Sequence, residues 1–189
     1  MSKPSAVKTR ILQVASRLFY KQGYALTGVN QLIEEAAIAK ASFYKYFPAK
    51  SDLLYAYVLE KDKAWFAALE EKLSLQKTAK DKILGIFDFR LERQDEQDYG
   101  GCAFVKLSAE ISADDQAVSE LIRQHKVRLQ NRIVDLLGQH EVATGVSVHK
   151  EVLGQTIYFL MEGATVDVRI KKKRDSLVQA KKIVGTLLY

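Results

Sequence analysis

The 189-residue chain predicts an all-α protein of nine helices, and three observations carry that expectation. Its only prolines are Pro4 and Pro48, so the last 141 residues contain no helix-breaking imino acid. Nowhere in that span do apolar and polar residues alternate between turn signals, as they would in a half-buried strand. Apolar residues recur instead at intervals of three and four, the spacing of a helix with one buried face. With 48% hydrophobic residues there is material for a real core. No apolar run reaches the roughly 18 residues of a membrane span, and the start, MSKPSAVKTR, lacks the apolar stretch of a signal peptide. A soluble cytoplasmic protein is expected. The single cysteine, Cys102, rules out an internal disulfide framework and fits a reducing compartment.

The first helix is expected from about residue 5, where Val7, Ile11, Leu12, Ala15, Leu18 and Phe19 form an apolar stripe that Gly23 ends as a left-handed cap. Thr27 stands where the N-cap of a second helix belongs, and Leu32, Ile33, Ala36 and Ala37 give that helix its inner face. A third helix starts near Ala39, turns Phe43 and Phe47 inward, and stops at Pro48, which drives the preceding residue out of the helical region. Asp52 opens a fourth helix with an acid at its positive end. Leu54, Val58, Trp65, Leu69 and Leu73 carry it to about residue 73, so it joins head to body. Thr78 and Asp81 resemble a capping box for a fifth helix with core face Ile83, Ile86, Phe87 and Leu91, and the polar segment 92–101 reads as a loop. A sixth helix is expected from about Cys102 to Ile111. Ser112 to Asp115 then punctuate the chain before a long seventh helix that carries Val118, Leu121, Ile122, Leu129, Ile133, Leu136 and Leu137. After a break at Gly138 to Val148, the eighth spans roughly Lys150 to Ile170 and the ninth Asp175 to Leu188. The run Lys171 to Arg174 lies between them as a solvated turn.

Charge is unevenly placed. Residues 1–50 hold eight Lys or Arg against Glu34 and Glu35, a net +6, while the remaining 139 residues sum to zero. A basic head on a neutral body is the footprint of a protein that neutralises phosphates with one end and does something else with the other. The stretch Val29 to Phe47 lies in that head and reads as two short helices joined by a tight turn. Lys40, Ser42, Tyr44, Lys45 and Tyr46 crowd the outer side of the second. Cationic and hydroxyl side chains belong there if that helix lies in a DNA major groove.

Gly23, Tyr24, Thr27, Val29, Leu32, Ala36, Lys40, Ser42, Phe43, Tyr44, Tyr46, Phe47, Lys50 and Leu53 together resemble the N-terminal signature of the tetracycline-repressor (TetR) family of bacterial regulators. The resemblance covers about a quarter of the chain. It implies a nine-helix, two-domain protein with a helix-turn-helix DNA-binding domain at 1–48 and a helical effector-binding and dimerisation domain at 49–189. It further implies a homodimer formed through the last two helices, bound to a palindromic operator as a repressor and released when a small molecule enters the body. Position by position, Thr27, Lys40, Tyr44, Tyr46 and Lys50 match places that hold phosphates, and Ala41, Ser42 and Lys45 match places that face bases. The chain departs from the family pattern at Ala37, where the turn usually has glycine, at Ala39, where a Ser or Thr cap is usual, and at Gly28, where a second hydroxyl often follows Thr27.

For the dimer, Phe159 and Gly163 of the eighth helix and Leu177, Ala180, Ile183, Val184 and Leu187 of the ninth form a face too apolar for water. Tyr57, Trp65, Phe87, Cys102, Phe104, Tyr158, Phe159 and Met161 are candidates for the effector pocket, set against the plainer reading of such residues as core. The alternative trigger is Cys102 itself, as a thiol that senses oxidants or electrophiles from a helix start. No nucleophile–base pair, phosphate loop or dinucleotide fingerprint suggests an enzyme or a cofactor. His125, His140 and His149 are too scattered for a metal site.

Overall fold

The computed structural model describes residues 5–112, 115–139 and 149–188, and these form helices without a strand. In order they are α1 (Ala6–Lys21), α2 (Val29–Glu35), α3 (Lys40–Tyr46), α4 (Lys50–Ser74), α5 (Ala79–Glu96), α6 (Ala103–Ser108), α7 (Gln116–Gly138), α8 (Lys150–Lys171) and α9 (Asp175–Leu187). None of them is long and apolar enough to cross a membrane. Most of the expected break at 138–148, together with His140, lies outside the described residues. The chain divides into two compact units whose boundaries fall inside α4, just before α6 and inside α7.

The first unit comprises residues up to Lys63 together with Ala103–Arg123. Within it α1, α2 and α3 pack on one another. Ile11, Ala15, Leu18 and Phe19 of α1, Leu32 and Ala36 at α2, and Phe43 and Phe47 at α3 are all buried. The Phe19 ring meets the edges of Tyr24 and Tyr57, each at 5.3 Å between centroids. The turn after α2 has the hydrogen bonds of a Schellman motif: Ala37 N–H donates to the Glu34 carbonyl at 2.9 Å and Ile38 N–H to that of Ile33 at 3.2 Å. Ala37 takes the left-handed conformation at φ 48°, which accounts for the glycine usual at this place. Arg10 reaches across from α1 to donate to the Ala37 carbonyl at 3.3 Å.

The N-cap of α2 is Gly28, one residue later than expected, and it has no side chain to cap with. Thr27 is wholly buried and donates its hydroxyl to the Gly23 carbonyl at 2.6 Å, closing the preceding loop instead of starting the helix. Gly23 itself lies at φ 96°, as its expected role in stopping α1 requires.

The second unit comprises Ala64–Cys102 and Gln124 onward. Here α5 packs against α8 and α9, which also pack on each other, around a core that includes Leu69, Ile83, Phe87, Ile133, Ile157, Met161, Leu177 and Val184. A Cβ at Gly154 would stand 2.5 Å from Val134 Cγ2, so glycine is what lets α8 come this close to α7. Thr78 caps α5 at the expected place: Asp81 N–H donates to its hydroxyl at 3.0 Å, and that hydroxyl donates to the Asp81 carboxylate at 2.7 Å.

Two further boundaries differ from the sequence reading. The polar segment after Leu91 is not a loop until Gln97, because its charges find partners while helical. Glu92 pairs with Lys72, Arg93 with Glu96 and Asp95 with Arg174. The helix α6 is shorter than expected, and Ala109 to Ile111 close it as a turn, with Glu110 N–H donating to the Leu107 carbonyl at 2.9 Å.

Candidate DNA interface and body cluster

The outer surface of α3 carries four exposed residues of the expected set: Lys40, Ala41, Tyr44 and Lys45. Ser42 and Tyr46 are half-buried. The Tyr46 hydroxyl donates to Ser5 Oγ at 2.7 Å, which ties the start of α1 to the end of α3. Lys50 is partly withdrawn. Its ammonium donates to the Tyr24 carbonyl at 2.7 Å and lies 4.1 Å from the centre of the Tyr24 ring. Burial pulls the Lys50 pKa down, with the Glu110 carboxylate acting in the opposite sense. Thr27 turns its hydroxyl inward, as described, so seven of the eight residues are exposed or half-buried and the eighth is kept inside. Cationic and phenolic side chains on an exposed helix suit phosphate oxygens and the acceptor edges of bases.

The second unit holds a group of polar side chains that sequence reasoning did not single out. Arg90 of α5 is 2% exposed and donates to Glu162 of α8 at 2.8 Å, and Lys126 of α7 donates to the other carboxylate oxygen at 2.5 Å. Lys126 also stands 3.5 Å from Cys102 Sγ. The guanidinium of Arg90 lies 5.1 Å from the centre of the Trp65 ring, which also meets the His125 ring edge-on at 4.9 Å between centroids. Burial alone would raise the Glu162 pKa, but Arg90 and Lys126 outweigh it and hold the carboxylate below its usual range. Burial, followed by the charges of Arg90, Lys126 and Arg128, drives His125 down to about 2, so it is neutral in the fold. Burial also pushes Tyr158 up, with Glu162 adding to it, to about 12. The signal that was there to be read is a charge inside an apolar stripe: Arg90 follows Phe87 and Phe89, and Glu162 interrupts a run of apolar residues.

Of the pocket candidates, Trp65, Cys102 and Tyr158 belong to this cluster. Phe87 and Met161 are in the apolar core of the same unit, both fully buried. Tyr57 and Phe104 are buried in the first unit. Phe159 is 64% exposed and lines an open groove of about 870 Å³ along α8 and α9, with Gly163, Ala180 and Ile183. Of the residues expected at the dimer face, Leu177 and Val184 are fully buried in the chain's own core, while Phe159, Gly163, Ile183 and Leu187 face outward. Val166 and Ile170 of α8, which the sequence reading left out, are exposed beside them.

Comparison with known proteins agrees with this layout. Residues 11–57 match the family described as bacterial regulatory proteins, tetR family. The HTH-type transcriptional repressor NemR of Escherichia coli (strain K12) is 27% identical over 201 aligned positions that cover 98% of each chain. An uncharacterised HTH-type transcriptional regulator of Lactococcus lactis is 29% identical over 132 residues, 69% of this chain and 67% of that one. Among solved structures, E. coli NemR in its reduced form has a TM-score of 0.82 at 23% identity and covers 97% of both chains. The regulatory protein TetR from Rhodobacter sphaeroides has a TM-score of 0.83 at 18% identity, covering 98% of this chain and 100% of its own.

Proposed function

The chain belongs to the tetR family of bacterial regulatory proteins and is a transcriptional regulator, and from that premise we propose a cytoplasmic homodimeric repressor that leaves a palindromic operator when its body binds a small molecule. Residues 1–48 are assigned to DNA and 49–189 to effector and dimerisation. The observation that carries the reading is the exposed face of α3, where Lys40, Tyr44 and Lys45 project from a helix packed on α1 and α2. Lys45 reads bases, Lys40, Tyr44, Tyr46 and Lys50 hold phosphates, and Phe159, Gly163, Ile183 and Leu187 meet their copies across the two-fold axis. In the body, Trp65, Tyr158 and the Arg90–Glu162–Lys126 group supply an aromatic wall with convergent polar groups, the composition of a ligand site. Selection of duplexes from a random pool with the purified protein tests the central claim. A palindrome should emerge, and equal binding to it and to its scrambled version at moderate salt would overturn the reading.

A second trigger is favoured by one observation, the Lys126 ammonium 3.5 Å from Cys102 Sγ. Cations beside a sulfur favour the thiolate, the form that attacks electrophiles. The E. coli relative has been crystallised in a form named as reduced. In this version alkylation of Cys102 replaces ligand entry. Iodoacetamide should then weaken DNA binding by the native protein and leave Cys102→Ser unaffected, whereas an alkylated protein with unchanged affinity returns the trigger to a bound ligand.

A further inference from the structure

The first unit contains α6 as well as the helix-turn-helix; a side chain on this helix holds the end of α1, and one just after it holds the loop that leads into α2. Lys106 donates to the carbonyl of Tyr20 and lies 4.4 Å from the centre of its ring. That carbonyl belongs to the last turn of α1, where acceptors lack helical partners and the dipole favours a cation. Four residues on, Glu110 accepts from the backbone N–H of Ala25 at 3.0 Å. The same carboxylate packs against Gly23, where a Cβ would stand 2.7 Å from its Oε2. Between these two grips lies Tyr24, whose carbonyl and ring hold Lys50. Within the loop the Thr27 hydroxyl closes onto the Gly23 carbonyl, while Gly28 gives α2 no side-chain cap.

We propose that Lys106 and Glu110 are positioning residues for DNA binding, which together fix the 23–28 loop and so set the start of α2 and the place of Lys50 before DNA arrives. The proposal rests on the reading of α3 as the DNA-contacting helix. Neither side chain touches DNA in this scheme. A loop ordered in advance does not have to be ordered at the expense of binding, so the effect belongs in affinity.

The full-length protein and a duplex selected by the wild type supply the test. Failure of the wild type to select any duplex would count against the regulator itself, and only a protein that has passed that step is used here. Glu110→Ala is expected to bind the selected duplex at least five-fold more weakly while keeping its helical content and dimer mass. Amide exchange should quicken at Ala25 and its neighbours in the loop. Glu110→Gln keeps an oxygen to accept from Ala25 and should retain most of the affinity, with Lys106→Met behaving like Glu110→Ala. Affinity of Glu110→Ala within two-fold of wild type overturns the proposal, even if the loop exchanges faster. So does a loss accompanied by an equal fall in helical content, since that would be unfolding. Equal losses in the Gln and Ala variants overturn it too, because charge and not the grip on Ala25 would then be responsible.

Discussion

Ala37 holds a left-handed backbone that glycine would adopt freely, and nothing in the Schellman turn relieves it. Replacing it by Gly should stabilise the protein by about 1 kcal/mol, seen as a higher midpoint in urea. Two of the lysines expected to meet DNA, Lys45 on α3 and Lys50 at the start of α4, differ in setting, and their variants should differ in kind. Lys45 is exposed and aimed outward, so Lys45→Ala should cost about 1–3 kcal/mol on the preferred sequence and relax the preference. Lys50→Ala should weaken preferred and scrambled duplexes alike and reduce the salt slope by about one, which titrations at several salt concentrations would measure. His125 makes the pH dependence of stability predictable. Its folded pKa, about 2, lies far below the unfolded value near 6.5, so the unfolded chain takes up a proton that the fold does not. Stability from this group is complete above pH 6.5 and falls by about 2 kcal/mol between pH 6.5 and 5. Urea unfolding across that range should show the slope, and His125→Leu should flatten it.

Along the outer stripe of α8, Gly163 is a place where the free chain has room, since a Cβ there meets nothing within 4 Å. Gly163→Trp should therefore leave helicity unchanged while turning a dimer into a monomer by light scattering; a dimer of unchanged affinity would remove this stripe from the interface. The helices were legible because their apolar periods are long and their ends are marked, as at Gly23, Pro48 and the Thr78 cap. What was not legible depended on partners far away in the chain. The end of α5 looks polar enough for a loop, and the local pattern does not show that Lys72 and Arg174 are there to pair with its charges. In α9 a single broad apolar face in sequence is two faces in space. Leu177 and Val184 turn in, while Ile183 and Leu187 turn out, a split that needs the position of α5 to be known. The exposed side of α3 could be read almost residue by residue because it is local to one short helix. Arg90, Lys126 and Glu162 come from α5, α7 and α8, and no local pattern announces that they meet.

At the scale of the whole molecule, two copies of α3 on a two-fold dimer should read half-sites about 34–36 Å apart, roughly one turn of duplex. Inserting about five base pairs at the centre of the selected palindrome puts the half-sites on opposite faces and should reduce binding to that of a single half-site, whereas about ten should restore part of it. Tolerance of the five-pair insertion would exclude two rigidly paired readers. The first compact unit, finally, is not a contiguous run of sequence, because Ala103–Arg123 completes what the residues up to Lys63 begin. Recombination between relatives is constrained by this. A crossover near residue 50 would exchange a DNA specificity without the segment it was selected beside, pairing an incoming loop with a foreign residue at position 110. What can be inherited intact is a split cassette, and a hybrid regulator made by swapping heads should work best when both pieces come from one parent.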